Sequence, residues 1–469
     1  MRCVAAAAIA SLSLARLGLG QELDRTKRPV AGAPAPFEFP KIETQRLSNG
    51  LLVVVIENHS LPLVAVRAVV QADSLDDPIG KEGLAALTSN MLPEGTTSRS
   101  AEQIASEIAA LGSSVTPSRF TTIPQNLAKS LELMADMLIH PTFSGSALAR
   151  IKGTLTAAKQ RELQGPSTLP NRVFLARLYG PDHPIARAVR ASEASIHAIT
   201  RDDVVRFHAT RYRPNMTTLV VVGDVRAAEV VAVASKVFGS WRPGELPAIG
   251  TPVHTLAPTT IYLIDRPSAQ QSYVFVGTLG PARASKDFAA LEAMAPILGA
   301  SVSSRLLNNL RERHAFIYAG LPLAVVWRRN GFPSLIGGSV AAATAKTDSA
   351  LIEWLGELRG MTRRPPTAEE MKLARSWLVD ALAAQTETDD LIANRVTSML
   401  QSGTPLDFYN SYGSRIEAVT STEISAAAAK YLDPSRLVIV VAGDRKVVEP
   451  LLRAANIAPI VVVDDAGKP

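Results

Sequence analysis

The strand-like segment TLVVVGD at 218–224 recurs as LVIVVAGD at 437–444. The Gly-Asp pair that ends each copy returns after 220 residues. A helix-like stretch precedes each copy, opens on a capping threonine, Thr200 or Thr420, and stops before a proline. Because order, spacing and residue type agree, we predict two homologous halves.

Strand and helix patterns extend this repeat in both directions. The β-rich runs are residues 51–56 and 63–71 in the first half, and 260–264 and 272–277 in the second. Helical patterns follow them, with capping boxes at Ser100–Gln103 and Thr367–Glu370. Since strands and helices do not alternate one to one, we predict an α+β fold. Each half is expected to be an antiparallel-rich sheet packed with helices.

The distribution of apolar, small, polar and proline residues along the chain defines the predicted domain organisation. Arg2 precedes an apolar run at residues 4–15, and small residues then lead into a polar segment, a layout typical of a secretory signal. The alternative is an Ala-rich N-terminal tail. The predicted parts are a signal peptide (1–20), an extended arm (21–41), an N-terminal domain (42–240), a Pro-rich linker (241–258) and a C-terminal domain (259–469).

The overall balance of residues excludes several classes of protein. With 47% hydrophobic and 20% charged residues, the chain should fold into more than one core. Its net charge of +6 is scattered rather than clustered, so nucleic-acid binding is not expected. Apolar runs such as 51–56 are too short to span a bilayer. Cys3, the single cysteine, lies in the predicted signal, so no disulfide is expected.

The segment GKEGLAALTSNMLPEGT at 80–96 resembles the region of the pitrilysin/insulysin clan of zinc peptidases that carries the inverted motif His-x-x-Glu-His. In that register the two metal-binding histidines fall on Ala86 and Asn90, and the general-base glutamate falls on Ser89. The third ligand falls near Ala158, with Glu162 close by. The resemblance implies a degenerate zinc site.

The histidines support this conclusion without reference to the family. The chain has seven, and no two are closer than 11 residues. A helical pair that could hold zinc from one face is therefore absent from the sequence. We expect no metal in this chain, and the resemblance places zinc in a partner.

The second half carries the other part of the resemblance, SSRLLNNLRERHAFIY at 303–318. In the family, an arginine and a tyrosine seven residues later reach toward the zinc site of the first half. Arg311 and Tyr318 have that spacing. Their implied role is to bind the peptide and stabilise negative charge on the scissile carbonyl oxygen, in trans. The alternative is structural: Arg311 as a solvated helix residue and Tyr318 as a core strand residue.

The resemblance implies a zinc-free subunit of a heterodimeric metallopeptidase, similar to the non-zinc subunit of the mitochondrial processing peptidase. Its expected partner is a zinc-bearing His-x-x-Glu-His homologue, its substrates are peptides, and its expected location is the periplasm. The glycine-rich loop of the mitochondrial subunit has no counterpart at 298–302, so presequence recognition is not implied. The alternatives are a non-enzymatic scaffold or peptide-binding protein and a self-sufficient peptidase. The last lacks any recognisable Ser/His/Asp or Cys/His constellation.

Overall fold

The computed structural model describes residues 37–245, 250, 252, 254–329 and 331–469. The predicted signal peptide (1–20) and the first part of the predicted arm (21–36) lie outside the described residues. In the part of the chain that is described, no helix is long and apolar enough to cross a membrane.

The first half is built on a mixed sheet of five strands. They are β1 (Glu43–Arg46), β2 (Leu52–Glu57), β3 (Val64–Val70), β4 (Arg119–Thr122) and β5 (Thr217–Gly223). Their order in the sheet is β1-β2-β5-β3-β4. The β2–β5 pair is parallel and the other pairs are antiparallel.

Strand β2 shows why its sequence is continuously apolar rather than alternating. Val53 and Val55 face the core of the first half, whereas Val54 and Ile56 pack into a second core shared with the other half. Both faces of the sheet are thus covered, and a strand buried on both faces needs apolar residues at every position.

Helices cover this sheet, and most of them lie between β3 and β5 in the sequence. They are α1 (Leu84–Met91), α2 (Ala101–Ala110), α3 (Leu127–Ile139), α4 (Gly145–Leu163), α5 (Thr168–Tyr179), α6 (Pro184–Ala188), α7 (Glu193–Ala198) and α8 (Arg201–Arg211), followed after β5 by α9 (Ala227–Phe238). The capping box predicted at Ser100 is confirmed, because Ser100 and Gln103 each bond the other's backbone N–H.

The second half is built on a mixed sheet of six strands. They are β6 (Thr260–Asp265), β7 (Gln271–Leu279), β8 (Ile317–Val326), β9 (Leu335–Ala343), β10 (Val438–Gly443) and β11 (Ile460–Val463). Their order is β11-β6-β10-β7-β9-β8. Strand β6 is parallel to both neighbours, and the remaining pairs are antiparallel.

The second half also contains a set of helices around its sheet. They are α10 (Phe288–Ala295), α11 (Arg305–Leu307), α12 (Thr347–Arg363), α13 (Ala368–Ala384), α14 (Asp389–Ser402), α15 (Phe408–Ala418), α16 (Ser421–Tyr431) and α17 (Arg445–Ala455). Thr367 and Glu370 form the predicted capping box at the start of α13.

The central strands of the two sheets occupy equivalent positions. Strand β5 lies between a parallel β2 and an antiparallel β3, and β10 lies in the same way between β6 and β7. The repeated Gly-Asp pairs stand at the ends of β5 and β10. The predicted α+β class with two similar halves is therefore confirmed.

One helix of each half packs on the sheet of the other half. Helix α5 packs on β7 and β10, where the ring centroids of Phe174 and Phe275 are 5.6 Å apart. Helix α14 packs on β3 and β5. There, Arg67 of β3 pairs with Asp390 and donates from Nε to Asn394 at 3.1 Å. The two halves are joined by this exchange as well as by the linker.

His183 lies buried where the two halves meet. Its ring centroid is 5.0 Å from that of Tyr179 and 5.3 Å from that of Phe332, which belongs to the second half. Its Nδ1 accepts a hydrogen bond from the backbone N–H of Ile185 and so caps α6. Burial lowers the pKa of His183 to about 4, and the nearby charges of His254, Arg187 and Arg328 act in the same direction.

This histidine gives a testable dependence of stability on pH. A folded pKa below the unfolded value near 6.5 means that the folded state binds fewer protons, so stability is lost as the pH falls from about 6.5 to about 4. The loss is at most about 3 kcal/mol. We expect His183→Asn, which keeps a capping oxygen, to flatten the urea-unfolding profile across this range.

Asp77 titrates in the same window with the opposite sign, since burial raises its pKa to about 6. The measurement is therefore the difference between wild type and His183→Asn at each pH. Equal pH slopes in the two proteins would contradict the assignment to His183.

Candidate functional site

Helix α1 carries the three positions predicted to be a degenerate zinc site. Ala86, Ser89 and Asn90 are all exposed and, at spacings of three and four residues, they share one face of the helix. The opposite face is buried. The Asn90 amide donates to the backbone oxygen of Ala86 at 2.8 Å. A methyl group, a hydroxyl and an engaged amide do not fit the ligand set of a zinc ion.

The predicted third ligand position lies on α4, which packs against α1. Ala158 is exposed there. Glu162, the neighbouring alternative, is also exposed, and its Oε2 pairs with Lys159 Nζ at 2.6 Å. Among the residues that the structure describes, no three His, Cys, Asp or Glu side chains are grouped so that they could hold a metal ion. No hydrolytic step can be derived through a metal held by these residues.

Asp77 fixes the start of α1. Its two carboxylate oxygens accept hydrogen bonds from the backbone N–H groups of Gly83 and Ala85, each at 2.7 Å. Gly83 has φ +107°, a conformation that favours glycine. Burial raises the pKa of Asp77 to about 6 although both hydrogen bonds favour the carboxylate. The helix therefore keeps a defined start although its exposed face lacks metal ligands.

A cleft of about 290 Å³ opens beside Ser89. It is bounded by β3, by the end of α8 and by α14 from the second half, and its polar lining includes Arg67, Arg119, Tyr212 and Asn394. Tyr212 lines the cleft together with Ser89, and burial raises the pKa of the Tyr212 phenol to about 12. Local sequence does not indicate this cleft, because its walls come from β3, the end of α8 and α14.

The structure brings Arg311 and Tyr318 together. The guanidinium carbon of Arg311 lies 5.9 Å from the centre of the Tyr318 ring. Arg311 is half exposed and its Nε is 3.3 Å from Glu312. Tyr318 is 81% exposed, so the alternative that placed it in the core is wrong. Both groups are free to meet a molecule from outside.

The backbone that carries Arg311 is irregular. Residues Asn308–Arg313 form a π-helical turn, a rare geometry that is concentrated at functional sites. Ala315 follows with φ +51°. For a residue with a Cβ, this left-handed conformation costs about 1 kcal/mol or more. The turn is therefore held by its surroundings rather than by local preference.

Tyr318 stands at a β-bulge near the start of β8. Ile317 pairs with Ala342 and Ala319 pairs with Ala341, so Tyr318 is the extra residue between two successive partners. A bulge bends the strand and redirects the side chain of the extra residue. The exposure of Tyr318 follows from this displacement.

The strain at Ala315 can be measured directly. We expect Ala315→Gly to raise the free energy of unfolding by about 1 kcal/mol, because glycine adopts a positive φ without the steric cost. Ala319→Gly, in the extended part of β8, is the matched control and should destabilise by about 0.5–1 kcal/mol. Thermal unfolding of the two variants should therefore move in opposite directions, and parallel shifts would contradict a strained turn.

Two protein-family models match the chain. Residues 52–173 match "Insulinase (Peptidase family M16)", and residues 198–376 match "Peptidase M16 inactive domain". The first match includes α1 with the degenerate positions, and the second includes Arg311 and Tyr318.

Known proteins resemble between about half and most of the chain. An uncharacterised zinc protease of Mycobacterium leprae is 25% identical over 328 residues, which cover 67% of this chain and 73% of the relative. A probable mitochondrial-processing peptidase subunit beta of Schizosaccharomyces pombe is 24% identical over 46% of this chain and 50% of the relative. The crystal structure of a peptidase M16 inactive domain from Pseudomonas fluorescens matches with a TM-score of 0.76 at 25% identity, covering 86% of this chain and 98% of that one.

Proposed function

The chain belongs to peptidase family M16, and from that premise we propose that it is the zinc-free subunit of a heterodimeric zinc peptidase. The observation that carries the proposal is the presentation of Arg311 and Tyr318 at the surface, 5.9 Å apart, by a π-helical turn and a β-bulge. The missing ligand chemistry at Ala86, Ser89 and Asn90 supports the same role, because the chain then needs zinc from elsewhere to take part in hydrolysis.

In this role the chain contributes electrostatic stabilisation of the transition state of peptide hydrolysis. Hydrolysis of a peptide bond places negative charge on the scissile carbonyl oxygen as water adds to the carbon. A partner's zinc supplies the activated water. Arg311 donates charged N–H hydrogen bonds to the developing oxyanion, and the phenol O–H of Tyr318 donates a further one. The half-exposed Arg311 and the exposed Tyr318 are accessible to such a substrate.

Reconstitution tests the proposal. The full chain is mixed with a zinc-bearing His-x-x-Glu-His homologue from the same cells, and the complex is isolated by size exclusion. We expect one zinc per pair of chains, and cleavage of a quenched fluorescent peptide that neither chain performs alone. Activity of the zinc chain that is unchanged by this subunit would overturn the proposal.

The second candidate is a peptide-binding or scaffold protein of the same fold. The cleft beside Ser89 favours it, since arginine and tyrosine side chains line about 290 Å³ between the two halves without a metal-binding set. It predicts a stable chain without a zinc-bearing partner and no effect of Arg311 or Tyr318 on any cleavage. Co-purification from native cells distinguishes the two: a stoichiometric zinc homologue supports the first, and unrelated partners support the second.

A further inference from the structure

An apolar groove runs along one face of α13 and shares no lining residue with the cleft beside Ser89. Its first part has a volume of about 250 Å³ and lies between α13 and the π-helical turn at Pro296–Ala300. Leu373 and Trp377 line it while remaining 47% and 48% exposed. Side chains this large are seldom left half uncovered beside a concave surface without a binding role.

The groove continues into a second cavity of about 230 Å³. Trp377 lines both parts, and Ala381 and Gln385 follow at four-residue intervals on the same helix face. From Glu370 to Gln385 the face spans about 22 Å, enough for about six residues of extended peptide.

The second cavity is positively charged. Arg283 and Arg395 both line it, and neither is within ion-pair distance of a carboxylate among the described residues. Arg283 Nε is inaccessible to water and has no hydrogen-bond partner in the described structure. Arg395 donates only to the hydroxyl of Tyr409, at 3.1 Å. Two guanidinium groups thus share one nearby carboxylate, Glu292, and neither forms an ion pair with it in the described structure.

The one carboxylate of this cavity is already engaged. Glu292 accepts hydrogen bonds from the indole N–H of Trp327 and, at 3.2 Å, from the hydroxyl of Tyr412. Burial raises the pKa of Glu292, whereas the nearby charges of Arg283 and Arg395 act in the opposite direction. The arginines therefore leave a net positive charge that an added anion can neutralise.

The opposite end of the groove carries no such excess. Glu370 is held there by a two-pronged ion pair with Arg305, at 2.6 Å from Nε and 2.7 Å from Nη2. The groove thus has a paired charge at the Glu370 end, the apolar side chains of Leu373 and Trp377 in its first part, and an excess of positive charge at the other end. This polarity distinguishes one end of a bound chain from the other.

We propose that the groove binds the free C-terminal end of an apolar peptide. The terminal carboxylate binds Arg283 and Arg395, for which a planar carboxylate is a matched acceptor. The preceding apolar side chains pack on Trp377 and Leu373. A polypeptide fits better than an inorganic anion because the positive cavity opens into the apolar groove. This site requires neither zinc nor a partner subunit, so it stands or falls apart from the proposed peptidase role.

The test uses the full chain and the pentapeptide acetyl-Ala-Leu-Ala-Leu-Leu, with either a free C-terminal carboxylate or a C-terminal amide. Binding is followed by calorimetry and by intrinsic tryptophan fluorescence, and Trp377→Ala shows which part of the fluorescence change comes from Trp377. We expect saturable binding of the acid, with the amide at least about tenfold weaker, as loss of a charge-assisted contact predicts. Arg283→Gln and Arg395→Gln should each reduce acid binding to the level of the amide.

Two control variants and a small acid test the specificity of this binding. Arg359→Gln removes an exposed arginine outside the groove and should leave binding unchanged. Trp377→Ala should weaken acid and amide alike, and circular dichroism checks that every variant is folded. Equal binding of acid and amide, or no binding of either, overturns the proposal. So does N-acetyl-leucine binding as tightly as the pentapeptide, which would indicate a site for small acids instead.

Discussion

Replacing Arg311 by alanine is expected to lower kcat of the proposed complex about a hundredfold while leaving peptide affinity within a few-fold of wild type. The reason is that a donor aimed at a developing oxyanion acts mainly in the transition state, and losing one such donor costs about 10²–10³ in turnover. Tyr318→Phe removes one neutral O–H donor and is expected to cost about tenfold. Steady-state kinetics on a fluorescent peptide, with saturating zinc partner, measures both.

Arg313 provides the matched control for this experiment. It is exposed on the same π-helical turn, so Arg313→Ala removes an equal charge without removing the Arg311–Tyr318 pair. Turnover should stay within about twofold of wild type, as expected for a surface charge away from the reaction. If Arg311→Ala and Arg313→Ala reduce turnover equally, the effect is one of surface charge, and the role given to Arg311 is wrong.

The largest expected effect on stability comes from Asp390→Ala. Arg67 is only 5% exposed and lies on β3, with Asp390 of α14 as its charged partner across the two halves. Without that carboxylate, a buried guanidinium keeps only Asn394 and the carbonyl of Val66 as acceptors. An unpaired buried charge costs about 3 kcal/mol or more, and urea unfolding should show this loss.

Replacing Arg67 instead of Asp390 separates the cost of an unpaired buried charge from the loss of the ion pair. Arg67→Met removes the buried charge and fills part of its space, while Asp390, 48% exposed, remains solvated. We expect a loss of only about 1 kcal/mol. The order of the two effects is the decisive observation, since an equal or larger loss in Arg67→Met would mean that the ion pair itself is the source of stability.

Local patterns accounted for the elements whose residues interact with near neighbours. The runs at 51–56 and 260–264 are strands, because short runs of β-branched residues favour strands locally. Ser100 and Thr367 cap helices, because a capping box uses residues only three apart. The repeat also identified the central strands of both sheets. The family resemblance predicted Arg311 and Tyr318 as a pair, and the guanidinium carbon of Arg311 lies 5.9 Å from the centre of the Tyr318 ring.

Contacts between distant residues could not be predicted in the same way. Nothing local in the sequence around Arg67 indicates Asp390 as its partner, since 323 residues separate them. The bulge at Tyr318 is equally hidden, because it depends on how β8 is paired with β9 rather than on the residue itself. The cleft beside Ser89 likewise requires α14 to cross from the other half.

The exchange of α5 and α14 constrains how the chain can fold during its synthesis. Strands β3 and β5 are complete once residue 223 has left the ribosome, yet the helix that covers them, α14, is made only with residues 389–402. Until then the outer face of the first sheet, including Val54, Ile56, Val220 and Val222, has no cover from α14. A nascent sheet with an uncovered apolar face is prone to aggregate. We therefore expect the nascent chain to be most prone to aggregation in the interval in which its second half is translated.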